Sequence, residues 1–123
     1  MRYDPMTKPS AEAWLGLDES ERIDAVVRYH KRVRFRAGSL QGHAVIHVVV
    51  ENQLAGGHAA AVDTLQRLIS EGLDRHEAVH AIGSLVAREL YGALKSGEPL
   101  DDEEYSRRLR ALNVAAWRSD VDE

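Results

Sequence analysis

Histidine recurs at a spacing of four in two places. His43 and His47 are followed by Glu51 four further on, and His76 and His80 enclose Glu77. The spacing constrains the backbone. On a helix, residues four apart stand about 6 Å apart on one face. On a strand they also share a face, but at ~3.3 Å per residue they lie about 13 Å apart. Two imidazoles can share one ion only in the helical case. Joint ligation by His43 and His47 therefore requires a helix there.

The remaining punctuation also favours helices. Ser10 can cap a single turn in "SAEAWLGL". Asp18, with Glu21 three later, forms a capping-box pattern ahead of "RIDAVVRYHKRVR". Ile23, Val26, Val27, His30 and Val33 then fall on one stripe. "AGSLQG" breaks the chain before "HAVIHVVVENQLA". That segment is rich in β-branched residues but does not alternate cleanly, so helix and lone strand both stay open. "AAAVDTLQRLISEG" reads as a helix with Val62, Leu65 and Ile69 inward and Gly72 as its C-cap. Asp74 and Glu77 repeat the capping-box spacing before a long helix running to "SGEP". A last helix, capped by Asp101 or Asp102, places Tyr105, Leu109, Leu112 and Ala116 on one stripe. The expected fold is all-α, about five helices in a small orthogonal or bundle-like domain. The alternative is α+β with "AVIHVVV" as a lone strand. The expected organisation is an irregular lead-in over 1–17, a helical domain over 18–117 and a frayed tail over 118–123.

Composition excludes several classes. The 123 residues fit one domain. No cysteine is present, so neither a disulfide framework nor a thiolate metal site can form. The net charge of −4 argues against a protein built to coat nucleic acid or an anionic membrane. The longest apolar run, "AVIHVVV", is too short to span a bilayer and the N-terminus lacks a signal-peptide core, so a cytoplasmic location is expected. The basic run "HKRVRFR" could contact phosphates with Phe35 stacking on a base, but it reads better as a solvated helix end.

His76-Glu77-x-x-His80 matches the H-E-x-x-H signature of zinc peptidases, in which Glu77 would be the catalytic base. The longer form of that signature continues through Gly83 and then fails, because Val86 stands where a third histidine belongs. A second reading joins both pairs. His43, His47 and Glu51 on one helix would face His76 and His80 on another, forming one site for a divalent transition metal: Zn, Ni, Fe or Mn. Gly83, one turn beyond His80 on the same face, would let the other helix approach closely. His30 reads as a core-edge histidine and His58 as an exposed turn residue. In the bland alternative the histidines only pack and bond to nearby acids or carbonyls.

"GHAVIHVVVENQLA", "RHEAVHAI" and "SGEPLDDEEYSRRLRAL" together resemble the small bacterial family called domain of unknown function 1841, over roughly His43 to Leu112. That resemblance implies a small, mainly helical fold and carries no established activity. The family's second pair is His-x-x-Glu-His, whereas here Glu77 follows the first histidine and Val79 precedes the second. The functional expectation is a metal-binding helical protein, with hydrolytic chemistry open to it. The competing class is a non-catalytic module that binds protein or nucleic acid and uses its histidines structurally. The apolar "VIHVVV" segment and modest core are compatible with a homodimer.

Overall fold

The computed structural model describes residues 1–35 and 38–122, with side chains as far as residue 118. Arg36, in the basic run, lies outside the described residues. Among the described residues seven helices follow one another: α1 (Ala11–Leu15), α2 (Glu19–Arg32), α3 (Leu40–Ala55), α4 (Ala59–Ser70), α5 (Arg75–Ser96), α6 (Asp102–Ala111) and α7 (Val114–Asp122). No strand occurs among the described residues. The ambiguous segment is thus helical, and α3 is the central element.

The expected count of about five falls short for two reasons. The turn after Ser10 counts as a helix, capped when the Ser10 hydroxyl accepts from Ala13 N–H. The last predicted helix is two. It breaks at Leu112, and Asn113 restarts it by accepting from Ala116 N–H at 2.8 Å. Ala116 consequently does not continue the stripe of Tyr105 and Leu109 and is exposed.

Both capping boxes form. Asp18 accepts from Glu21 N–H while Glu21 accepts from Asp18 N–H, and Asp74 and Glu77 do the same. Two other expectations are corrected. In α4 the buried face is Ala60, Ala61, Thr64 and Leu68, while Ile69 is exposed. Val62 and Leu65 are partly buried and pack against the core beside this face, as expected. His58 is a working cap: its Nδ1 accepts from Ala61 N–H, and its Nε2–H donates to Asp102 at 2.8 Å.

Two apolar clusters share α3. One joins Val50 and Leu54 to Leu68, Val79, Ile82 and Leu109. The other joins Ala44 and Val48 to Val26, Trp14 and Tyr3. The lead-in is therefore part of the core, because Tyr3 and Trp14 are fully buried. Arg22 ties down the end of α1 by donating to the carbonyls of Trp14, Leu15 and Leu17. Val45, Ile46 and Val49 of α3 are only partly buried. No described helix is long and apolar enough to cross a membrane.

The close approach of α3 and α5 depends on Gly83. A Cβ there would meet Ile46 Cγ2 at 2.9 Å and Val50 Cγ2 at 3.8 Å. Gly92, further along α5, faces open space. Gly83→Leu is expected to lower stability by about 1–3 kcal/mol through overpacking. Gly92→Ala should raise it by roughly 0.5–1 kcal/mol through helix propensity. Urea denaturation of the two variants separates a packing glycine from a passive one; equal effects would show that the helix contact is not tight.

Candidate metal centre

Three helices converge their histidines on one point. α2 brings His30 from its last turn, α3 brings His47, and α5 brings His76 and His80 from its first two turns. One ring nitrogen from each of these four lies within 4.8 Å of all the others. His47 Nε2 is 2.9 Å from His80 Nε2, which is 3.1 Å from His76 Nε2. His30 and His47 are fully buried.

The network behind the rings fixes which nitrogens carry lone pairs. His30 Nδ1 stands 2.8 Å from the Val26 carbonyl. A carbonyl can only accept, so the proton is on Nδ1 and His30 Nε2 holds a lone pair. That Nε2 is buried and has no hydrogen-bond partner. His47 is set by a longer relay. Arg75 grips the Glu51 carboxylate with two parallel bonds of 2.9 and 2.8 Å and also donates to the Pro5 carbonyl. Tyr3 O–H donates to Glu51 Oε2 at 2.5 Å. The phenol has one proton, so its oxygen accepts from His47 Nδ1–H at 3.1 Å. His47 Nε2 is thereby left with a lone pair aimed at His80. Metal-ligating imidazoles are held in a related way, the other ring N–H donating to an acceptor behind it.

Packing alone leaves this cluster poorly satisfied. His80 Nε2–H can donate fully to His47 or to His76, not to both, and none of these bonds reaches His30. Buried polar atoms without partners are rare and call for an occupant or a cost. The two short Nε2–Nε2 distances also suit ligands of one ion. Ligands about 2.05 Å from a metal stand about 2.9 Å apart at a right angle and about 3.4 Å apart at the tetrahedral angle. The observed separations of 2.9 and 3.1 Å fall between these two values.

The sequence-predicted residues divide. His47, His76 and His80 come together as expected, across α3 and α5. His43 packs beside the group, its ring stacked on Phe35 at 4.5 Å and 5.0 Å from His80. Its Nε2 is likewise buried without a partner. Glu51 has both oxygens committed to Arg75 and Tyr3, one layer behind His47. Glu77, the expected base, is engaged as the cap of α5. His30 takes the fourth place. Its signal was a polar residue in the middle of an apolar stripe. Tyr3 and Arg75 gave no comparable signal, because their roles arise only from contacts distant in the chain.

The five clustered histidines lie below their ordinary basicity. Burial pushes His47 down to about 2, with positive charge on His80 the next opponent. Burial likewise brings His80 down to about 3 and His43 to about 4, their neighbouring histidines adding to it. His30 and His76 move the same way, chiefly through desolvation. The imidazoles are neutral at physiological pH, the form a metal needs.

Comparison of the chain with protein-family models, with curated proteins and with solved structures gives no match.

A consequence for stability follows in the metal-free protein. His43, His47 and His80 protonate near 6.5 in the unfolded chain and far lower in the folded one. Below about 6.5 the unfolded state binds more protons, so stability is lost as pH falls and is unaffected by these groups above that value. Urea midpoints should be level between about pH 8 and pH 7 and then fall steeply towards about pH 5. A midpoint unchanged at pH 5 would contradict the buried neutral cluster.

Proposed function

We propose that this chain is a metal-dependent helical protein that holds one divalent transition ion through His30, His47, His76 and His80. The observation that carries the reading is the buried lone pair of His30 Nε2, unpartnered and packed with three further imidazoles. An all-imidazole set suits Zn, Ni or Fe better than Mn, which prefers carboxylates. Such an ion can polarise a bound water or ligand as a Lewis acid, which keeps hydrolytic chemistry within reach. Glu77 has no part in it, since the cap of α5 occupies its carboxylate. The competing reading, a binding module with structural histidines, offers no partner for His30 Nε2. Kinship with domain of unknown function 1841 belongs to this proposal and rests on the histidine spacing.

Untagged protein loaded with Ni or Zn and desalted is expected to retain about one ion per chain by elemental analysis. His30→Ala should lose it. Glu77→Gln should keep it and cost at most about 1 kcal/mol of stability, as loss of a cap contact does. Tyr3→Phe, which removes only the hydroxyl, should weaken binding by about 10–100-fold. Wild-type metal affinity in His30→Ala would overturn the ligand assignment.

A further inference from the structure

The four convergent imidazoles are not reached equally from outside. His30 and His47 are fully buried. On one side the N-terminal segment is strapped over the group. Arg32 donates to the Tyr3 carbonyl and Arg75 to that of Pro5, and Tyr29 packs edge-on against His76 at 5.8 Å. The carboxylates of Asp4, Asp74 and Glu77 act on His76 there. Elsewhere a cleft of about 480 Å³ opens between α3 and α5, its described lining including His43, His47, His80, Ser84, Ala87 and Trp117. A divalent ion with about six waters needs roughly 180 Å³ at about 30 Å³ per water, so the cleft admits one still hydrated.

His43 stands where this cleft meets the cluster. Its ring lies 4.7 Å from that of His30, 4.8 Å from His47 and 5.0 Å from His80. It is nevertheless outside the group of four whose nitrogens lie within 4.8 Å of one another. Its Nε2 is buried without a partner, the same anomaly that His30 Nε2 shows. An ion among the four answers for His30 and leaves His43 unexplained.

We infer that His43 is a transit ligand: an ion entering or leaving by the cleft is held by His43 with His47 and His80, the three imidazoles of the cleft wall. The inference rests on the metal reading above and adds the route. An ion stripped of water on its way to buried nitrogens needs other donors, because a bare charge in an apolar surrounding is costly. His47 and His80 stay bound throughout, and His43 gives way to His30 and His76. A group that serves only in transit alters entry and exit alike and leaves the affinity alone.

Cobalt(II) uptake, followed by its visible bands in stopped flow, and release to excess chelator test this. His43→Phe keeps a ring against Phe35 and removes the nitrogens. Uptake and release should both slow by about tenfold or more, the effect of a barrier raised by about 1.4 kcal/mol, with the dissociation constant unchanged. Ala87→Trp narrows the cleft from an exposed position on α5 and should slow both rates likewise. Asp4→Asn, on the strapped side, should leave both unchanged at about 0.15 M salt, where distant charges are screened. Wild-type rates in His43→Phe overturn the proposal and leave the metal reading standing. Faster release with unaltered uptake in that variant also overturns it, because His43 would then be a resident ligand. Slow uptake in Asp4→Asn alone overturns it in favour of the acidic side. Failure of the wild-type protein to take up cobalt overturns the metal reading itself.

Discussion

Glu51 and Arg75 form a buried, two-pronged ion pair that joins the middle of α3 to the first residue of α5. Such a pair is weak evidence of net stability, because desolvating two charges offsets most of their attraction. Removing one partner is another matter, since about 3–5 kcal/mol is lost when a buried charge is left alone. The pair therefore acts as a register. With α3 and α5 locked there, His47 faces His76 and His80, and a slide of either helix by one turn would bury an unpaired charge. Tyr3 extends the register to the N-terminal segment, and Arg32, donating to the Tyr3 carbonyl, ties that segment to α2 and so to His30.

What local chemistry governs was readable in the chain. Both capping boxes, the Ser10 cap and the close approach at Gly83 depend on residues a few positions apart or on a missing side chain. The two histidine pairs were visible because a period of four marks one helix face. Whatever depends on distant contacts was not. Glu51 looks like a ligand from α3 alone, and only the arrival of Arg75 and Tyr3 turns it into a support for His47. His43 shares the period of His47, yet the lead-in and α2 bring His30 into the group instead. The break at Leu112–Asn113 was missed because the apolar stripe continues across it; one asparagine cap decides the matter.

The centre departs from what a stable core would select. Five imidazoles share one region, each driven below its ordinary basicity, and two present buried nitrogens without partners. Apolar residues of similar volume would fill that space at lower cost. Local rules are thus broken in one place, with a supporting network built behind it. The second apolar cluster contains Tyr3 and Val26, whose hydroxyl and carbonyl hold the rings of His47 and His30.

The central claim is that the surrounding groups fix the tautomers of His30 and His47, so that lone pairs converge before any ion arrives. Long-range proton–nitrogen NMR correlation of the imidazole rings in metal-free protein reads this directly. Both rings should show a protonated Nδ1 and an unprotonated Nε2, and the Nε2 resonances of His30, His47, His76 and His80 should move together when one equivalent of diamagnetic zinc is added. A protonated Nε2 on His30 or His47, or a zinc response confined to other histidines, would contradict the account.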